Sequence, residues 1–89
     1  MKAILTVIGK DKVGIIAGVS TELQELGINI LDVTQTIMQG YFTMIMMLDL
    51  EKTTKNFEEV KTALLKKGDA LGVEVKIQRE ELFNSMHTL

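Results

Sequence analysis

Two short segments of this chain, residues 2–8 and 41–50, carry apolar side chains on both of their alternating faces. In the first, Ala3, Leu5 and Val7 oppose Ile4 and Ile8; in the second, Phe42, Met44, Met46 and Leu48 oppose Ile45 and Met47. A strand that is apolar on both sides belongs inside a sheet whose two faces are both covered. These two segments are therefore expected in the middle of a sheet, and the rest of the chain must supply its edges and its cover. Two further strands suit the edges. Residues 29–38 carry Asp32, Thr34, Gln35 and Thr36, while Val73, Val75 and Ile77 alternate with Glu74, Lys76 and Gln78 in a half-exposed pattern.

The cover comes from helices. Val13, Ile16, Ala17, Val19, Leu23 and Leu26 fall at helical spacing, and Gly27 stands where a helix commonly closes. Gln39-Gly40 predicts a hairpin turn between residues 29–38 and 41–50. Asn56 and Glu59 stand at capping-box spacing ahead of an apolar stripe of Phe57, Val60, Leu64 and Leu71. Gly68 and Gly72 are alternative ends for that second helix. The order is βαββαβ. With right-handed crossovers, an antiparallel sheet of order 4-1-3-2 places the two doubly apolar strands centrally, which is the ferredoxin-like α+β arrangement. Leu82, Phe83, Met86 and Leu89 then mark a short amphipathic C-terminal helix after Glu80-Glu81. The expected organisation is one domain over residues 1–79, with residues 80–89 as a helical extension packed on the domain or on a partner subunit.

Both helices of such a fold cover one sheet face, so the other face, still apolar on its central strands, needs a cover too. An 89-residue chain with 4% aromatics and no cysteine has a small core and no covalent staple, and association into a homodimer is the natural source of further burial. The absence of cysteine also removes thiolate nucleophiles and sulfur metal sites. A net charge of −2 with a single arginine, Arg79, argues against nucleic acid as a partner. Neither a signal-peptide layout nor a spanning apolar run is present, which points to a cytoplasmic protein with no membrane partner. His87 is the only histidine, so no metal site is expected. No nucleophile stands beside a base and there is no phosphate-binding loop, so no catalytic residue and no cofactor are assigned.

One stretch invites a ligand: Gly9-Lys10-Asp11-Lys12-Val13-Gly14-Ile15-Ile16-Ala17-Gly18-Val19, where a strand turns into a helix. In the plainest reading Gly14 permits a tight turn and Asp11 caps the helix; in the functional one the free amides of the helix N-terminus cradle a small anion or an amino acid. The pattern Asp-x-x-Gly-Ile-Ile-Ala-Gly-Val, followed by Leu26-Gly27-Ile28-Asn29-Ile30-Leu31-Asp32, resembles the ACT domain over residues 2–79. It is most similar to small stand-alone ACT proteins and to the ACT segments of glycine-cleavage transcriptional repressors and formyltetrahydrofolate deformylases.

The resemblance implies the βαββαβ fold, dimers or higher assemblies, and a regulatory role with amino-acid binding. It carries ligand positions over to Asp11, to the backbone around Val13 and Gly14, and to Asn29 with Ile30 at the start of the second strand. Asp11 stands where amino-acid-regulated enzymes often have a neutral Asn; a carboxylate there suits an ammonium group and repels an α-carboxylate. Val13 replaces a common proline. A helix over residues 13–26 is about 21 Å long, so Gly14 and Asn29 are expected at opposite ends of the domain. A ligand touching both must then sit between two copies. The function expected is a small regulatory protein that binds an amino acid or similar metabolite at a dimer interface. The alternative is a ligand-independent subunit that binds a protein partner.

Overall fold

The computed structural model describes residues 1–10 and 14–81. It contains β1 (Lys2–Gly9), α1 (Ile15–Glu25), β2 (Asn29–Met38), β3 (Tyr41–Asp49), α2 (Phe57–Leu71) and β4 (Glu74–Arg79). The four strands form one sheet in the order β2-β3-β1-β4, with every neighbouring pair antiparallel. This is the expected ferredoxin-like order, with the doubly apolar strands β1 and β3 in the centre. The C-terminal extension expected over residues 80–89 lies outside the described residues, apart from Glu80 and Glu81, which turn helical directly after β4.

Each strand face does what its alternation requires. Ala3, Leu5 and Val7 of β1 and Phe42, Met44, Met46 and Leu48 of β3 point to the helix side, where all are buried together with Val19 and Leu23 of α1, Val60 and Leu64 of α2, and Ile77 of β4. On the opposite face Ile8 and Ile45 are exposed, whereas Ile4 is buried. Gln39 (φ 51°) and Gly40 (φ 83°) make the hairpin between β2 and β3, the pair of positive φ values that a two-residue turn matched to strand twist requires.

Helix α2 starts with the predicted capping box. The Glu59 amide donates to Asn56 Oδ1 at 2.9 Å, and the Asn56 amide donates to Glu59 Oε1 at 3.0 Å. The helix passes through Gly68 and stops at Gly72, whose φ of 72° is the left-handed cap. Gly68 is a packing glycine: a Cβ there would lie 2.5 Å from Val75 Cγ2 and 3.2 Å from the Val73 carbonyl oxygen. The Arg79 guanidinium stacks 4.8 Å from the centroid of the Phe57 ring, joining the end of β4 to the start of α2.

Helix α1 differs from the periodicity reading in the stripe it turns inward. It begins at Ile15, and Ile15, Val19 and Leu23, each four residues apart, are buried, while Ile16 and Ala17 are exposed. Ile15, Ile16 and Ala17 are all apolar, so the spacing supports two neighbouring stripes. The turn at Gly14 fixes where the helix starts and therefore which stripe meets the sheet. At its other end α1 closes at Leu26 and Gly27, as predicted, and Thr53 Oγ1 donates to the Leu26 carbonyl, tying the loop after β3 to that helix end.

The helix layer covers β2 least. All ten of its residues are exposed, including Ile30, Leu31, Val33, Ile37 and Met38. Its inner edge is held by β3, with a bulge between Ile30 and Asp32; among the described residues its outer edge has no neighbouring strand.

Candidate functional site

β1 delivers Gly9 and Lys10 to one end of the sheet, and the chain re-enters the described region at Gly14, the N-cap of α1. Asp11 and Val13, two of the sequence-assigned ligand positions, lie outside the described residues. Gly14 has a φ of 78°, a left-handed conformation that a side chain would strain, and a Cβ there would meet nothing within 4 Å. It is therefore a glycine chosen for its backbone conformation, with no close neighbour for a side chain among the described residues. The N-cap position falls on Gly14 rather than on Asp11, and Gly14 has no side chain to offer. The first helical bond runs from the Gly18 amide to the Gly14 carbonyl at 2.9 Å, so the amides of Ile15, Ile16 and Ala17 precede the helix's own bonding pattern.

At this same end of the sheet lies an open cleft of about 480 Å³. Gly9 and Gly72 are among the residues lining it, and its charged and aromatic groups come from four different elements or their flanks: Lys10 after β1, Tyr41 of β3, Asp69 of α2 and Glu74 of β4. The Lys10 ammonium lies 5.9 Å from the centroid of the Tyr41 ring. The cleft thus offers one cation, two carboxylates and a phenol, a lining with groups for both charges of a zwitterion. Sequence reasoning did not single out Tyr41, Asp69 or Glu74; Asp69 and Glu74 flank the turn between α2 and β4, and antiparallel pairing of β1 with β3 and β4 brings that turn to the same end of the sheet as Lys10 and Tyr41.

Asn29 and Ile30 stand at the far end. Asn29 opens β2 opposite Asp49, and Asp49 is in turn opposite Lys2, the first residue of β1. From that row to Gly9 the sheet extends about 23 Å at 3.3 Å per residue, and α1, with 11 residues, is about 16 Å long. Asn29 is exposed; Ile30 is 38% exposed and points to the helix side opposite Leu48. Within one copy, then, the fold brings Gly14 to the end that holds the Lys10–Tyr41 cleft, and it keeps Asn29 and Ile30 away from both.

Among the described residues no group of three or more His, Cys, Asp or Glu side chains is placed to hold a metal ion. Among the same residues no helix is long and apolar enough to cross a membrane.

The profile of the ACT domain matches residues 2–78, nearly the whole βαββαβ unit. The chain belongs to the ACT-domain family. A UPF0237 protein of Listeria innocua is 65% identical to it over 89 residues, covering 100% of both chains. Among solved structures, an ACT domain protein from Streptococcus pneumoniae superimposes with a TM-score of 0.84 at 42% identity, covering 93% of each chain. More distant likenesses show the fold alone. A formyltetrahydrofolate deformylase from Pseudomonas syringae gives a TM-score of 0.78 at 20% identity, and a protein described as a glycine cleavage system transcriptional repressor gives 0.74 at 23%. This chain covers 27% and 44% of those two larger proteins. The resemblance read from the two glycine-containing motifs thus holds, and the ACT domain is a regulatory domain type.

Proposed function

We propose that this ACT-domain protein is a cytoplasmic regulatory subunit that works as a homodimer and binds a free amino acid, or a small metabolite of the same zwitterionic character, between its two copies. It carries no chemistry of its own. The observation that supports this reading is the separation of the family's two ligand positions: Gly14 and Asn29 are both exposed, yet they stand at opposite ends of one copy. A free amino acid is far shorter than that distance. A ligand touching both positions therefore sits where the Gly14 end of one copy faces the Asn29 end of the other. The Lys10, Asp69 and Glu74 groups at the Gly14 end supply partners for a carboxylate and an ammonium group. Regulation follows from differential binding: a ligand held by both copies favours the arrangement in which the two half-sites meet, and a partner protein reads that arrangement.

Titration calorimetry against the standard amino acids, with light scattering for mass, tests the proposal. Saturable binding that is lost in Asn29→Ala while the dimer mass is unchanged is the expected result. Silence across the whole panel from a protein that still dimerises refutes the ligand and leaves a ligand-independent interaction subunit. That second reading has its own observation in its favour, the exposed edge strand β2.

A further inference from the structure

We infer that the C-terminal segment, residues 82–89, folds back on its own chain and covers the sheet face opposite the helices. This goes beyond the ligand reading above and does not depend on it. Both α1 and α2 pack on the other side of the sheet, yet this face is not uniformly exposed. Ile4 lies on it and is only 5% exposed, and among the described residues it is the one buried apolar side chain outside the core cluster. Ile8, further along the same face of β1, is 38% exposed. Burial on this face therefore rises toward one end of the sheet.

Strand pairing shows which end. Across β4, β1, β3 and β2, the pairings set Gln78, Ile4, Met47 and Asp32 in one row, and Lys76, Thr6, Ile45 and Thr34 in the next. A third row holds Glu74, Ile8, Thr43 and Thr36. The apolar residues are thus gathered on the two central strands, chiefly in the first two rows, and polar residues flank them on β4 and β2. Ile4, Met47 and Ile45 also line a hollow of about 210 Å³, into which an apolar side chain can insert. β4 finishes at Arg79, one residue beyond the first row. The chain leaves the sheet beside the patch.

The residues that come next have the chemistry to cover it. Glu80 and Glu81 are already helical, and acidic residues in a first turn suit the positive end of the helix dipole. Residues 82–89 lie outside the described residues. On a helix of about 100° per residue their Leu82, Phe83, Met86 and Leu89 share one arc of about 120°, and Asn84, Ser85, His87 and Thr88 fall outside it. A helix over residues 80–89 is about 15 Å long, and β2 lies three strand spacings, about 14 Å, from β4. Crossing the first two rows, such a helix needs no loop to reach Ile4 and Met47. A helix this short does not hold by itself in water, so its apolar arc needs a surface. A second copy stacked face to face is the competing occupant, and it suits the patch less well. It would enclose Glu74, Lys76 and Asp32 with their counterparts, whereas a helix about 10 Å wide leaves these charges in water at the rim. A face closed by its own chain is withdrawn from association with a second copy or a partner protein.

The chain has no native cysteine, so thiol reactivity reads the cover directly. Met47→Cys in the first row and Ile8→Cys in the third are made singly in the full chain. Labelling by a maleimide should be about tenfold slower at position 47 than at position 8, at any protein concentration. Adding Met86→Lys to Met47→Cys should bring its rate up to that of Ile8→Cys, whereas adding Asn84→Lys, on the polar side of the segment, should leave it slow. Far-UV circular dichroism shows that each variant is folded. In a Met47→Cys, Met86→Cys double variant, a short bis-maleimide should join the two cysteines within one chain, giving a linked monomer by mass spectrometry. Equal labelling of Met47→Cys with and without Met86→Lys overturns the proposal. So does a double variant that links only between chains or not at all. Protection of position 47 that disappears on dilution also overturns it, because the cover would then be another molecule.

Discussion

Replacing Gly68 by alanine opposes two effects that the structure allows to be weighed. Gly68 lies inside α2, and alanine favours a helix interior by about 1 kcal/mol over glycine. Its position is buried, however, at the closest approach of α2 to β4 and the turn that leads into it. The new methyl would lie 2.5 Å from Val75 Cγ2 and 3.2 Å from the Val73 carbonyl oxygen. Val75 is β-branched and stiff at χ1, and the carbonyl is backbone, so neither can move aside locally. Val73 is further tied to this turn because its amide donates to the Gly68 carbonyl at 2.9 Å.

Overpacking of this kind costs about 1–3 kcal/mol, and the rigid partners put it in the upper half of that range. Gly68→Ala is therefore expected to destabilise the protein by about 1–2 kcal/mol despite its better helix propensity. Gly18→Ala is the matched control. It makes the same exchange inside α1, but the atoms nearest its methyl all belong to the Leu71 side chain, with Cδ1 and Cδ2 at 2.9 Å and Cγ at 3.4 Å. A half-buried leucine can rotate away, so the two effects nearly cancel and the change should be within about 0.5 kcal/mol of zero. Urea unfolding followed by far-UV circular dichroism measures both variants. Protein concentration is held fixed, because the stability of a protein that self-associates depends on it. Equal stabilities for the two variants, or a Gly68→Ala protein more stable than the parent, would refute the reasoning that close approach and not flexibility selects glycine at this position.

Two further substitutions test the helices. Asn56→Ala removes half of the capping box that begins α2 and should cost about 1 kcal/mol in urea unfolding, with most of that recovered in Asn56→Asp. Leu23→Ala, which empties a fully buried position on α1, should cost about 2–5 kcal/mol. Ile16→Ala, at the second residue of the same helix and 38% exposed, should cost less than about 1 kcal/mol. A cost for Ile16→Ala as large as that for Leu23→Ala would mean that α1 turns the Ile16 stripe toward the sheet.

The legible part of this fold is the part set by local chemistry. Alternation in residues 2–8 and 41–50 placed those strands at the centre of the sheet, because a side chain's face is fixed by its parity. The Asn56–Glu59 spacing located the start of α2 because a capping box closes within one turn. The inner face of α1 was not legible, since Ile15, Ile16 and Ala17 offer competing stripes and the turn before them decides between them. Gly68 was ambiguous for a related reason: in sequence it reads as a possible stop, and only the arrival of Val75 against it shows a contact. At the candidate site, Gly14 and Asn29 could be named from motifs and even placed at opposite ends from helix length. The meeting of Lys10, Tyr41, Asp69 and Glu74 around one cleft depends on pairings between residues more than thirty positions apart, which no local pattern records.

The sequence by itself determined the order of elements, the strands at the centre and those at the edges, and membership of the ACT-domain family, because each follows from periodicity, capping and short motifs. Tertiary structure decided how much of β2 is covered. Its mixed composition is compatible with an edge sheltered by a helix, and in the fold the helix layer covers it only in part, so all ten residues stay exposed. Whether a strand is a finished edge or an unfilled one depends on where neighbouring elements end in space, a global packing outcome that the strand's own residues do not specify.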